Sequence, residues 1–438
     1  MHRGAFNGPL FVFRTQFASG LTNSRHGTCK RAMRKYYVDM LTEFSRRYFL
    51  TRSILALAST CFAPDVALPR ALTSLQATGL ATPHSDSSDE EMIIYSREFL
   101  TMESPMAALT TWITPTESFF VRNNLIMPAS IDVEKWELRI TGEVRRPITL
   151  SFRDLAALPR TSVINTIECA GNGRAFYRPR LGGVQWRKGA VGTARFEGPR
   201  IRDLLRLAEP RPSAHHVAFG GLDTPPLGSE RFIRSIPLDK ALDENSLIST
   251  HMNGAPLTMP HGFPARALIP GWIGSASIKW LQEITVLSHE YSGAYMDPAY
   301  RIPAVQLQNH SVRSTLPLTS LRLKSIISYP GGDAVINLRD NPTLAIRGAA
   351  WAGEKSISSV KVSIDGGTTW RDSVLSSQHA RYAWRLWEYN WTPRAAGNYQ
   401  LMCRAADGDG NRQPLEPLWN PGGYLWNGMD RINVNVQA

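Results

Sequence analysis

Apolar and polar positions alternate along this chain in two textures. Between about residues 92 and 300, strand-like and helix-like rhythms are interleaved. Trp136-Glu-Leu-Arg-Ile140 alternates with a period of two and predicts a half-buried strand, closed by a turn at Thr141-Gly142. Ser151-Phe-Arg-Asp154 predicts a short helix with Ser151 as N-cap and Asp154 at the third helical position. Ile201-Arg-Asp-Leu-Leu-Arg-Leu207 repeats apolar residues at i, i+3 and i+4, a second helix. Ile164-Asn-Thr-Ile-Glu168 and Trp280-Leu-Gln-Glu-Ile-Thr-Val286 read as strands. From about 317 to 436 only short alternating runs remain: 344–348, 360–364, 399–403 and 432–436, with Asp365-Gly366-Gly367 as a hairpin turn. That spacing predicts an antiparallel β-sandwich of roughly 100 residues. The polar stretch 82–91 reads as a linker. The expected class is α+β: a mixed, β-rich domain followed by an immunoglobulin-like sandwich.

Composition narrows the choices. The 438 residues are 43% hydrophobic and 20% charged, which excludes wholesale disorder. No apolar run reaches the ~20 residues of a membrane-spanning helix, so no integral membrane segment is expected. The net charge of +12 suggests nucleic acid until it is located. Residues 1–60 hold ten Lys/Arg and two acids, +8 of the total, so the remainder carries +4. Nucleic-acid binding is therefore not expected.

The basic leader has a pattern of its own. Ser45-Arg-Arg-Tyr-Phe-Leu50 precedes the apolar run Ile54–Ala58, the arrangement of a twin-arginine export signal. Residues 1–81 are read as this leader, with Met33 or Met40 as an alternative start and cleavage near Gly79 or Ala81. The expected destination is the periplasm, reached by a folded chain.

Of four cysteines, Cys29 and Cys61 fall in the leader and Cys169 and Cys403 in the body. There is no C-x-x-C, hence no zinc ribbon or c-type haem attachment. An oxidising compartment would permit a Cys169–Cys403 bridge. Cys169 follows a predicted strand in a glycine-containing loop, five residues before Arg174. By type it is a nucleophile, a soft-metal ligand or a buried structural thiol. His215-His216 has no further ligand at metal-site spacing.

Longer segments favour the metal. Glu168-Cys169-Ala170-Gly171-Asn172 resembles the molybdenum-ligating loop of the sulfite oxidase family, and Trp186–Gly198 the segment after it. Pro260-His-Gly-Phe-Pro-Ala-Arg266 through Gly271, with Ser277-Ile-Lys279-Trp280, is similar to the family's pterin-binding stretch. Trp384-Arg-Leu-Trp387 and Trp419–Leu425 resemble its dimerisation domain. The resemblance spans about residues 110–436. It implies a molybdopterin-binding catalytic domain over 109–303, preceded by an extension at 82–108, and a dimerisation domain over 304–438.

The resemblance also implies a molybdenum-molybdopterin cofactor with Cys169 as protein ligand to the metal. Asn123, His261, Arg266, Ser277 and Lys279 would hold the cofactor. Arg122, Arg174, Arg385 and Tyr300 would form the pocket for a small anionic sulfur substrate, guanidinium forks being suited to paired oxyanion oxygens. Asp223 and Ser235 lie near looser matches. Asn124 stands where many members carry His, Ala299 where many carry Asp, and Gly173 where many carry Arg. No haem, flavin or nicotinamide fingerprint is read, so electrons are expected to pass to an external c-type cytochrome. The implied activity is oxidation of sulfite or a related reduced sulfur compound by an exported homodimer. An S- or N-oxide or nitrate reductase of the same family, and an inactive secreted scaffold, are the alternatives.

Overall fold

A computed structural model describes residues 91–304, 314–339 and 342–437. The expected leader, its export signal, Cys29 and Cys61 lie outside these residues. The stretch read as an N-terminal extension is built into the fold from Ile93 onward. Strands Ile93–Ser96 and Thr101–Glu103 pair antiparallel, and Glu103 is buried while accepting hydrogen bonds from the Arg187 and Gly189 amides and the Tyr95 hydroxyl. A buried carboxylate needs such donors, which ties the hairpin to the loop beyond Cys169.

Strand β1 (Glu137–Gly142) pairs antiparallel with β2 (Ile148–Ser151). Leu138 and Ile140 are buried, as the alternation requires. The expected turn at Thr141-Gly142 is instead strand, because Thr141 and Gly142 pair in parallel with Thr285 and Val286. Helix α1 (Phe152–Ala157) starts with a reciprocal cap in which the Asp154 amide donates to Ser151 Oγ at 3.2 Å and the Ser151 amide to Asp154 Oδ2 at 2.9 Å. Strands β3 (Thr161–Glu168) and β4 (Val191–Gly198) form a long antiparallel pair. Helix α2 (Ile201–Ala208) buries Ile201, Leu204, Leu205 and Ala208, the predicted stripe.

Then come β5 (His216–Gly221), β6 (Ile233–Pro237), β7 (Leu247–Ser249), β8 (Arg266–Leu268) and β9 (Leu281–Leu287). One five-stranded sheet runs β2-β1-β9-β5-β6, with only β1 and β9 parallel. Strands β3 and β4 lie in a second sheet, and β7 pairs with β8.

The longer strands beyond residue 320 are β10 (Lys324–Tyr329), β11 (Ala334–Asn337), β12 (Leu344–Trp351), β13 (Ile357–Ser363), β14 (Arg385–Trp391), β15 (Gly397–Asp407) and β16 (Asp430–Gln437). They form two sheets, β10-β12-β14 and β11-β16-β15-β13, each extended by a two-residue strand. Val360, Val362, Leu401, Cys403, Val434 and Val436 fill the space between them with Ile346, Trp387 and Trp391. The Asp365 turn is a hairpin: Val362 pairs with Arg371, and the Asp365 carboxylate accepts from the Thr369 amide and the Ser363 and Thr369 hydroxyls. Gly366 and Gly367 supply the positive φ values, 68° and 95°. A second core crosses the chain, joining Leu109, Leu138, Leu204 and Ile284 to Leu318, Trp351, Trp384 and Leu425.

Candidate active site: a cationic cleft around Cys169

The cysteine loop leaves β3 at Glu168 and is anchored by hydrogen bonds from both of its ends. Glu168 is 6% exposed and accepts from Lys324 Nζ at 2.9 Å, Trp351 Nε1 at 2.8 Å and Asn172 Nδ2 at 2.9 Å. Asn172 Oδ1 accepts from the Ala190 amide, and the Cys169 amide donates to Ala190 O at 2.9 Å. So Glu168 and Asn172 hold the loop while Cys169 itself remains a free, partly exposed thiol. Cys403 is also free but sits in the sandwich core, where burial pushes its thiol up. The two do not form a bridge.

Cys169 opens into a cleft with about 710 Å³ of free space, part of it solvent. The Phe119–Asn124 segment supplies Arg122, Asn123 and Asn124; the turn at Met259–His261, β8 and residues 274–280 supply His261, Arg266, Ser277 and Lys279; Tyr300, Asp223 and Phe232 complete the lining. The structure thus gathers Arg122, Asn123, Cys169, His261, Arg266, Ser277, Lys279 and Tyr300 around one space.

Its electrostatics are one-sided. Arg266 is 5% exposed; it donates to the carbonyls of His261 and Ser277, both at 3.1 Å, and its Nε has no partner. Burial lowers its pKa to about 10. Lys279 donates to Pro260 O at 2.8 Å and to Asn123 Oδ1, and burial, then Arg266, push its ammonium well below the usual lysine range. His261 is driven down to about 3 by burial and by Lys279 and Arg266, so it is neutral at pH 7. Its Nε2 faces Thr116 O at 3.1 Å and must therefore carry the proton, leaving Nδ1 to accept. Among the described residues, no carboxylate lies within ion-pair distance of Arg122, Arg266 or Lys279. The carboxyl in the lining, Asp223, is raised to about 6 by burial against the opposing pull of Lys279 and Arg231. Burying unpaired cations is costly unless an anion joins them. The orphaned Arg266 Nε and the unbonded, buried Ser275 hydroxyl fit the phosphate-bearing end of a pterin cofactor.

At the other end, Arg122 Nη2 donates to Asn124 Oδ1 at 2.6 Å, and Asn124 Nδ2 reaches Tyr300 Oη at 3.0 Å. Asn124 thus links the arginine and the tyrosine directly. Tyr300 is held at φ 56° and its pKa is raised to about 12 by burial, so the phenol keeps its proton at neutral pH.

Two expected pocket arginines do not line the cleft. Arg174 is folded beneath the cysteine loop, donating to Gly422 O from Nε (3.2 Å) and Nη2 (3.0 Å) and to Val184 O from Nη1 (3.0 Å). Gly171 makes room for it: a Cβ there would lie 2.6 Å from Arg174 Nη1. Arg385 begins β14 in the sandwich and donates to Ser376 O at 2.6 Å. Sequence reading passed over Phe119, Phe120 and Phe232, whose apolar walls carry no chemical signature, and the buried Arg234 behind Tyr300. Gly173, where Arg was noted as common, has φ 89°, and a Cβ would meet the Trp426 side chain at 2.8–2.9 Å.

Comparison with known proteins agrees with this arrangement. Residues 124–295 match the oxidoreductase molybdopterin binding domain and 316–437 the Mo-co oxidoreductase dimerisation domain. Mitochondrial sulfite oxidase of Mus musculus is 34% identical over 361 residues, covering 78% of this chain and 65% of its own length. Sulfite oxidase of Gallus gallus is 33% identical over 332 residues, 72% of this chain and 71% of its own. The crystal structure of the sulfane dehydrogenase SoxCD from Paracoccus pantotrophus superimposes with a TM-score of 0.67 at 25% identity, covering 79% of this chain and 89% of that one. The chain spans 65% of the length of the mouse relative. A free cysteine in a cation-lined cleft, followed by a sandwich, and these matches over most of the described residues give one assignment: the chain belongs to the sulfite oxidase family of molybdenum-cofactor oxidoreductases.

Proposed function

We propose that this protein is an exported, molybdenum-dependent oxidoreductase that oxidises sulfite, or a related reduced sulfur compound, and passes the electrons to an external c-type cytochrome. The observation that carries the reading is the cleft: Cys169 shares it with Arg122, Arg266 and Lys279, cations with no carboxylate within ion-pair distance among the described residues. Cys169 would ligate molybdenum through its thiolate, a soft donor suited to a redox metal. His261, Arg266, Ser277, Lys279 and Asn123 would hold the pterin and its anionic end. Molybdenum bound there would supply oxygen transfer and a place for two electrons. Arg122 would draw in the substrate anion and orient its oxygens. Tyr300 would donate a hydrogen bond from a hydroxyl that stays protonated. Sulfite takes one oxygen from water and releases two electrons and two protons on becoming sulfate.

The Arg-Arg leader supports export to the periplasm, and the match to a dimerisation domain supports a homodimer. The similarity to a sulfane dehydrogenase favours, as second reading, sulfane sulfur as substrate. The test is metal analysis of the purified protein followed by a sulfite–ferricytochrome c assay. About one molybdenum per chain with cytochrome reduction is the expected result. Molybdenum without sulfite turnover would transfer the proposal to sulfane or oxide substrates, and absence of molybdenum from protein made in a cofactor-competent cell would overturn it.

A further inference from the structure

Arg234 belongs to no motif in the sequence, yet it is 2% exposed at the heart of the β-rich domain. It stands on β6 opposite Phe219 of β5. Its guanidinium donates to Tyr295 O, its Nε has no hydrogen-bond partner, and among the described residues no carboxylate lies within ion-pair distance. The acid whose field reaches it, Glu290, is bonded instead to Arg301 at 3.3 Å. What Arg234 does meet is the Tyr300 ring, with its guanidinium carbon 4.9 Å from the centroid. Tyr300 also stacks on Tyr424 at 5.6 Å and 15°, and its amide donates to Tyr424 Oη at 3.4 Å. Tyr424 in turn lies 5.3 Å from the Arg174 guanidinium. Tyr300 is thus held in a left-handed backbone conformation by packed rings and a buried cation.

Hydrogen bonding shows what this hold is for. Arg122 occupies Asn124 Oδ1 at 2.6 Å, so the amide presents Nδ2 to the Tyr300 oxygen. The Tyr300 hydroxyl in turn lies 3.2 Å from the same Oδ1, an acceptor it must share with the Arg122 guanidinium, so a cleft anion competes for its proton only against an acceptor already engaged. A cation over a phenol ring withdraws electron density and strengthens the hydroxyl as a donor.

We infer that Arg234 is a positioning residue that fixes and polarises the Tyr300 hydroxyl for an oxyanion of sulfur in the cleft. This rests on the proposed function for the identity of the anion. Arg234 acts through Tyr300, not by contact with the substrate.

The test compares wild type, Arg234→Met, Arg234→Lys, Tyr300→Phe and Arg234→Met with Tyr300→Phe, each as molybdenum-loaded protein. Sulfate binding is measured by calorimetry, and sulfite oxidation by KM and kcat. Arg234→Met is expected to weaken sulfate binding and raise KM about tenfold, with kcat within about threefold of wild type. Arg234→Lys, which keeps the charge but loses the planar fork, is expected at about threefold. In the Tyr300→Phe background either change should add less than about twofold. Unchanged sulfate binding and KM in Arg234→Met, or a full additive effect without the Tyr300 hydroxyl, would overturn the inference. If Arg234→Met does not fold, Arg234→Lys with and without Tyr300→Phe decides it by the same non-additivity. A wild type that binds sulfate but leaves sulfite untouched removes the proposed function while the calorimetric comparison still judges Arg234.

Discussion

Glu168 and Lys324 meet at 2.9 Å with side-chain exposures of only 7% and 1%. One residue precedes the cysteine of the cleft; the other begins the first strand of the sandwich. Lys324→Met would leave Glu168 charged and buried with only Asn172 and Trp351 as donors. A loss of about 3–5 kcal/mol in urea unfolding is expected, the usual cost of orphaning one partner of a buried pair. Adding Glu168→Gln should recover more than half, since the uncompensated charge is then gone. A Lys324→Met loss below about 1 kcal/mol would mean that Glu168 is not held as a buried anion.

Cys169→Ser tests the metal ligand. The thiol makes no bridge, and the loop is fixed by Glu168, Asn172 and the Cys169 amide, so the fold should survive. Molybdenum content and sulfite turnover should both fall to below about 1% of wild type, with an unchanged circular dichroism spectrum. A Ser variant retaining metal and turnover would refute the assignment.

The placement of the arginines predicts a contrast. Arg122→Met should raise KM for sulfite at least about tenfold, or about 1.4 kcal/mol of lost binding. Arg385→Met should change it by less than about twofold, because Arg385 is engaged with Ser376 O in the sandwich. Equal effects from both would put Arg385 back in the pocket.

Asp223 gives a pH signature. Burial raises its pKa to about 6 in the folded protein, against about 3.9 in an unfolded chain. The folded state therefore holds the proton more tightly, and this contribution is greatest below about pH 4 and lost as pH rises to about 6. Asp223→Asn removes the titration. Measured on cofactor-free protein, the stability of Asp223→Asn relative to wild type should grow by on the order of 3 kcal/mol between about pH 4 and pH 7. A constant difference would show that the carboxyl is not desolvated.

Much of this was legible in the residues. Apolar stripes located α2 and β1, and the Ser151–Asp154 pair located α1, because local hydrogen bonds and burial decide these elements. Cys169, His261, Arg266 and Lys279 were legible because they sit in continuous segments whose backbone shapes one wall. Arg385 was misread because a motif on a strand identifies the strand but not the space its side chain enters. Arg174 was misread because its guanidinium is drawn to the carbonyls of Gly422 and Val184, and Gly422 lies 248 residues away. Arg234 gave no signal, since its partner Tyr300 is remote in sequence and the contact is a ring face rather than a charge. Thr141-Gly142 looked like a turn because its pairing partner, β9, is likewise distant.

The core that joins Leu138 and Leu204 to Trp351, Trp384 and Leu425 bears on ancestry as much as on stability. A chain whose two matched regions share one interior cannot trade either of them for a cousin's without mismatched volume along that seam. Chimaeras cut near residue 310 should therefore be rescued by compensating changes at Leu318, Trp351 and Trp384, and in this lineage the two regions would be inherited as a single cassette.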